Sequence, residues 1–212
     1  MPSRALEKYL SNYRGIDDPH LTALRIIKKK YNVERVLYLG SWIHLTPSLI
    51  FRYVVYVDFF AAMESMFNDS KLLKYIETHS ETLNKADIKF HKVDYREGIY
   101  EEQESFDLLI SLSSGFVSRY CRPYLRKDGL LFVNNEHYDA SMAYVDPNFG
   151  PIGVFTHAGK LIDDKQEIQE YFLTKSNQVI TLAMVKENSK KPPSKAKYKL
   201  KKKTPFYLFQ KL

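Results

Sequence analysis

Two unbroken apolar runs, residues 36–39 and 54–57, lack the alternation of a strand with one wet face. Both of their faces are expected to be covered, as in a parallel sheet flanked by helices. Further strand-like stretches follow at 88–93, 106–112, 130–133, 178–185 and 205–209, with a shorter candidate at 151–156. Between them the apolar period becomes helical. Leu6, Tyr9, Leu10 and Tyr13 form one stripe. Asp18 as cap and Pro19 as first residue open a second helix through Leu21, Leu24 and Ile27, and the lysines at 28–30 suit its C-terminal dipole. More helices are expected over 61–67, from Asp69 or Ser70 to His79, over 116–125, and from Asp163 or Asp164 to Tyr171. Strand and helix alternate, which predicts an α/β fold: a doubly wound, mostly parallel seven-stranded sheet with helices on both faces and an antiparallel edge. All of 1–212 reads as one domain, with N-terminal helices in 1–32, a Rossmann-like core over 33–135 and a basic excursion, 186–203, before the last strand.

The first two strands end on residues suited to a ligand. Gly40 can take the backbone angles of a sharp turn, and Asp58, eighteen positions on, stands where a doubly wound sheet sets an acid against ribose hydroxyls. Thr46 and Pro47 read as the cap and first residue of a short helix. This spacing resembles the opening of the class I S-adenosylmethionine-dependent methyltransferases. A second stretch, 124–135, resembles the helix, glycine turn and fifth strand of the same family, so the similar segments span roughly 33–135. In that family an acid usually stands two residues before the first glycine, and two more glycines follow at alternate positions. Here those places hold Tyr38, Trp42 and His44. A left-handed non-glycine residue costs about 1–2 kcal/mol, so the loop is expected to take a different path.

The resemblance implies S-adenosyl-L-methionine as cofactor and methyl transfer as activity, with Gly40, Ser41, Trp42, His44, Asp58, Asp94 and Ser113 around the cofactor. Asp94 either receives the adenine amino group or caps its own turn. Trp42 covers the ligand and His44 touches its carboxylate, or Trp42 fills space between helix and sheet. After the fifth strand, 134–139 is dense in polar groups. Glu136 and His137 are the candidates to take a proton, and Asn134, Asn135, Tyr138 and Asp139 to hold the acceptor. The alternative is a loop whose Asn and Asp side chains satisfy their own turn. A dinucleotide fits less well, because Trp42 stands where backbone must approach a pyrophosphate.

Composition narrows the field. There is no Gly-x-Ser-x-Gly, no phosphate-gripping loop, and no spaced His or Cys pair among His20, His44, His79, His91, His137 and His157, so no metal site is expected. The single Cys121 excludes an internal disulfide and is expected to be a small buried hydrophobe; with no apolar leader-like run, this points to a cytoplasmic protein. The net charge of +7 is local: 186–203 holds nine lysines and one glutamate, leaving the rest near −1. Lys190, Lys195, Lys197, Lys199 and Lys201, with Tyr198 among them, could neutralise and stack on a nucleic acid, or could simply keep an edge strand soluble. The leading expectation is methyl transfer to an unknown acceptor. Its rivals are a non-catalytic binding module of the same fold, contacting nucleic acid through the lysines, and an enzyme using another nucleoside.

Overall fold

In the computed structural model, which describes residues 1–83, 85–191 and 195–212, the apolar runs become the centre of one eight-stranded sheet, ordered β3-β2-β1-β4-β5-β8-β6-β7. β1 (Arg35–Leu39), β2 (Tyr53–Asp58), β3 (Asp87–Lys92), β4 (Phe106–Ser111) and β5 (Leu125–Val133) run parallel. β8 (Phe206–Lys211) enters antiparallel between β5 and β6 (Phe149–Phe155), and the short β7 (Leu161–Ile162) pairs with β6 at the edge. Strand order reverses at β1, which has β2 on one side and β4 on the other, so the sheet is doubly wound.

Alternation along the strands sends side chains to two separate cores. Val36, Tyr38, Val54, Tyr56, Leu108 and Ile110 meet α1 (Arg4–Tyr13), α2 (His20–Tyr31), α3 (Ala61–Phe67) and α4 (Ser70–His79). Leu37, Leu39, Val55, Val57, Leu109 and Leu131 meet α5 (Val117–Tyr120), α6 (Asp139–Tyr144), α7 (Lys165–Glu170) and α8 (Leu182–Ser189). Each fully buried aliphatic side chain contributes about 1.5–3 kcal/mol, which is why the central runs carry no polar alternation. Cys121 is buried in the second core, as expected.

Four expectations need correction. The sheet has eight strands instead of seven. Residues 178–185 are not a strand: Val179 makes only an isolated bridge to Leu173, and Thr181 Oγ1 accepts the Met184 amide as the cap of α8. The antiparallel pair at the centre of the edge is therefore β8 with β6. No α-helix follows β1. A single 3₁₀ turn, Thr46–Leu49, carries the crossover, and Thr46 is buried and spends its hydroxyl on Asp18 instead of capping. The expected helix over 116–125 is cut to α5 and a 3₁₀ turn, Arg122–Tyr124, because Pro123 has no amide to continue it.

The basic segment is also no extended excursion. It starts as the end of α8, and the buried Asn188 pins its return: Oδ1 accepts the Lys197 amide at 2.8 Å and Nδ2 donates to the Tyr198 carbonyl at 3.1 Å. Tyr198 and Leu200 turn into the second core while Lys195, Lys197, Lys199 and Lys201 stay exposed. Pro192 and Pro193 lie outside the described residues. Among the described residues, no helix is long and apolar enough to cross a membrane.

Candidate functional site

The carboxyl ends of β1, β2 and β4 open onto a cleft of about 830 Å³. Open α/β sheets bind ligands at this switch point, and the volume suits a small molecule. Gly40 begins its floor with φ +61°, and a Cβ there would stand 2.5 Å from Ser114 Oγ, so glycine is required on two counts. Trp42 also takes a left-handed conformation, φ 46°. The strain of about 1–2 kcal/mol is offset by three contacts. The Trp42 amide donates to Asp58 Oδ2 at 2.8 Å, the indole meets Tyr13 edge-on at 6.0 Å, and the Lys8 ammonium lies 4.5 Å from the ring centroid.

Asp58 is buried at the end of β2, and its Oδ1 accepts the Phe60 amide at 3.0 Å. One backbone donor on each oxygen leaves further lone pairs for a ligand. Beside it, Phe59 and Phe60 are 58% and 53% exposed and stacked at 4.4 Å. Two exposed aromatic rings next to a buried acid form a platform for a flat heterocycle. They are also the main site residues that sequence reasoning passed over. The available signal was two aromatics immediately after a buried strand's terminal acid, where a helix start usually prefers polar residues.

Ser113, Asn134 and Glu136 do come together at the opposite wall. The Ser113 amide donates to Asn134 Oδ1 and Asn134 Nδ2 donates back to Ser113 Oγ, both at 2.9 Å, while the Ser113 hydroxyl donates to the Glu136 carboxylate. His137 lines the same cleft. Asn134 and Glu136 also line a second cavity of about 560 Å³, whose other walls include Tyr138, Tyr198, Lys199 and Lys203. Asn135 lines that cavity too, but its Oδ1 accepts the Ser141 amide at 2.9 Å and so steadies the start of α6.

Two other expected site residues, Asp94 and Asp139, lie elsewhere. Asp94 does not line the cleft; it caps the 3₁₀ turn Tyr95–Glu97 and chelates the Arg96 guanidinium, which holds its carboxyl below the usual range. The cap, one of the two uses weighed for it, is present. Asp139 is buried behind the cleft, accepting from Ser111 Oγ at 2.6 Å and Ser118 Oγ at 2.5 Å, with no face left for a substrate. Ser41 and His44 line the cleft with little of their surface exposed. His44 Nδ1 pairs with the Tyr38 hydroxyl at 2.8 Å and Nε2 with Asp18 Oδ2 at 2.7 Å. Burial pulls the His44 imidazole down to about 4, against the opposing pull of Asp18, so it is neutral near pH 7. The lysines are partly engaged: Lys191 and Lys197 pair with Glu187, Lys202 with Glu170, and Lys201 with the Asn177 side chain, whereas Lys199 and Lys203 face the second cavity.

Sheet and cleft together define a Rossmann-like fold with an open cleft at its switch point. No protein-family model and no curated protein matches the chain. Among solved structures it is similar to a provisionally assigned S-adenosyl-L-methionine-dependent methyltransferase of Methanococcus maripaludis, at 18% identity over 61% of this chain and 61% of that one, TM-score 0.43. It is also similar to an S-adenosylmethionine-dependent methyltransferase of Mesorhizobium loti, at 15% identity over 92% and 99%, TM-score 0.39. The tRNA (m1A58) methyltransferase TrmI of Aquifex aeolicus is a third, at 13% identity over 91% and 69%, TM-score 0.49. The chain thus spans about three fifths of the length of the Methanococcus protein. Likeness at this distance leaves the chemistry to be read from the residues themselves.

Proposed function

We propose that this chain is an S-adenosyl-L-methionine-dependent methyltransferase. The observation that carries the reading is Asp58 beside the exposed Phe59–Phe60 pair in the switch-point cleft. An acid with spare acceptor positions suits a ribose diol, and an aromatic platform next to it suits adenine. The α-helix N-terminus that would receive a phosphate is replaced by a 3₁₀ turn, which favours a nucleoside without one. When bound, the sulfonium supplies an already activated methyl group, so the protein's task is to align donor and acceptor. Gly40 and Trp42 shape the loop against the amino-acid end, with Ser41 and His44 supporting it from below. The acceptor enters through the smaller cavity, whose shared wall of Asn134 and Glu136 leads into the cleft. Glu136 and His137 are placed to accept bonds from it, and Lys199 and Lys203 favour an anionic substituent.

A thermal melt with S-adenosylmethionine or S-adenosylhomocysteine, against NAD and ATP, tests this. Ligand at a hundred times its dissociation constant adds about 2.7 kcal/mol, or roughly 5–10 °C for a chain of this size. The shift should vanish in Phe59→Ala/Phe60→Ala, which removes only exposed rings. No shift at millimolar ligand would leave the binding-module reading, which the exposed row Lys195, Lys197, Lys199 and Lys201 favours; a salt-sensitive oligonucleotide complex would be its signature.

A further inference from the structure

We propose that Asp18 and His20 form a proton-accepting dyad at the rim of the cleft, and that the methylated group is therefore an O–H or N–H that must surrender a proton. The inference rests on the methyl-transfer reading for its consequence, but not for its geometry.

The Asp18 side chain is fully buried, yet its carboxylate is saturated with donors. Oδ1 accepts the His20 amide at 2.8 Å and His20 Nδ1 at 2.5 Å; Oδ2 accepts His44 Nε2 at 2.7 Å and the Thr46 hydroxyl at 2.5 Å. Tyr9 extends the chain, its hydroxyl 3.0 Å from Thr46 Oγ1. Burial alone would raise the Asp18 carboxyl, but the bonds from His20 and His44 hold it well below the usual carboxylate range. It is therefore an anion and can only accept. Both imidazoles must present N–H to it, which places the His20 proton on Nδ1 and leaves Nε2 with a free lone pair.

Capping α2 would need only the bond from the His20 amide. The remaining buried polar chain does something else: it fixes the orientation and tautomer of an imidazole whose side chain is 22% exposed and lines the cleft. A carboxylate that orients a histidine through Nδ1 and leaves Nε2 for the substrate is the arrangement that makes an imidazole a general base. The groups that face His20 do not compete. His44, 4.7 Å away, is neutral, and Tyr13 stacked on it is pushed up to about 12 by burial. From β8 the neighbour is Phe206, at 5.0 Å, and Pro205 before it lines both cavities, so the ring stands by the passage between them. Tyr38, Asp58, Tyr95, Glu136 and His137 complete the ionisable lining of the cleft around it. The three possible ligand atoms of Asp18, His20 and His44 lie within 4.8 Å of one another, and zinc uptake is accordingly one of the outcomes that would overturn the dyad.

In the transfer, the acceptor's oxygen or nitrogen forms its bond to the methyl carbon as the carbon–sulfur bond breaks and that electron pair passes to sulfur. The acceptor's hydrogen leaves as a proton to His20 Nε2, its bonding pair staying on the acceptor, and Asp18 stabilises the imidazolium. A positioned base of this kind is worth about 10²–10⁴-fold in rate. A thiolate acceptor would need none.

Nitrogen-15 NMR of the histidine-labelled full chain reads the tautomer directly. His20 should carry its proton on Nδ1, and in Asp18→Asn, whose amide can donate, it should move to Nε2. Methyl 4-nitrobenzenesulfonate, a small methylating probe, should then alkylate His20 at Nε2 faster than the exposed His79 and His157, mapped by mass spectrometry, and at least tenfold more slowly in Asp18→Asn. His20→Gln should abolish that label, and a cooperative thermal unfolding transition in the variant controls for misfolding. An Nε2–H tautomer in the unmodified chain, labelling no faster than at His79, or zinc uptake lost in His20→Gln would overturn the dyad. Protection by S-adenosylhomocysteine distinguishes the two readings: preferential labelling without protection keeps the dyad and removes the methyl donor. Methylation of thiophenol in preference to phenol would overturn the acceptor class.

Discussion

Asp139→Asn separates a structural carboxylate from a substrate ligand through the pH dependence of stability. Burial pushes the Asp139 carboxyl up to about 6 from 3.8, despite the lowering effect of its bonds from Ser111 and Ser118. Between about pH 4 and 6 the folded chain thus keeps a proton that the unfolded chain has released. Stability falls as pH rises through that window, and at about 1.36 kcal/mol per pKa unit the ionised group costs about 3 kcal/mol above it. His44 acts in the opposite sense over nearly the same range. Burial pulls it to about 4 from 6.5, so the unfolded chain takes up a proton that the folded chain refuses. Its stabilising contribution, also about 3 kcal/mol, is complete above pH 6.5 and is lost as pH falls towards 4. The two slopes oppose one another in the unmodified chain. Asparagine removes one of them. Urea unfolding followed by the fluorescence of Trp42, the only tryptophan, should show the variant gaining about 3 kcal/mol relative to the unmodified chain between pH 4 and 7. In thermal midpoint that is about 6–12 °C. Distant carboxylates contribute equally to both chains and drop out of the difference. A difference independent of pH would refute the argument from burial. Loss of ligand binding with the fold intact would restore Asp139 to the substrate-contacting set.

Gly40→Ala should cost about 1–3 kcal/mol in urea unfolding and abolish the melting shift with S-adenosylhomocysteine, because the new methyl needs both a left-handed backbone and the space of Ser114 Oγ. Unchanged binding would mean that the loop does not contact the ligand. Asn188→Ala removes the two side-chain bonds from Asn188 that hold 197–198 against α8, leaving the exposed Lys197–Glu187 pair. It should cost about 1–3 kcal/mol, and limited trypsin digestion should cleave among Lys195–Lys203 before the rest of the chain; equal cleavage rates in both chains would show that the segment is held by other contacts.

The central strands were legible because their two-sided burial leaves no polar alternation, and α1, α2 and α4 because their caps and stripes agree. The failures have local causes. Residues 178–185 look like a strand by residue type, but Thr181 as cap and the spacing of Val185 and Asn188 on one helical face decide otherwise. At the site, Gly40 and Asp58 could be found from their positions at strand ends. The uses of Asp94, Asn135 and Asp139 could not, since a carboxylate or amide looks the same in sequence whether it meets a ligand, a guanidinium or a turn amide. Asp18 was read as a cap, which it is. Its second role depends on His44, twenty-six residues away, and only the tertiary fold brings the two together.

Tyr38 and His44, two of the places where this chain departs from the glycine-rich pattern, are bonded to each other, and His44 to Asp18. Trp42, the third, is held by Asp58. Buried polar side chains cost about 1–3 kcal/mol each when unpaired. Here Tyr9, Asp18, Tyr38, His44 and Thr46 form one buried hydrogen-bonded chain that supports the loop from beneath while Asp58 anchors it from the cleft side. Additional glycines make the usual turn possible by removing side chains. In this protein the turn is built with them, and it is tied to the segment preceding α2, so the geometry of the cleft depends on residues that lie before the first strand.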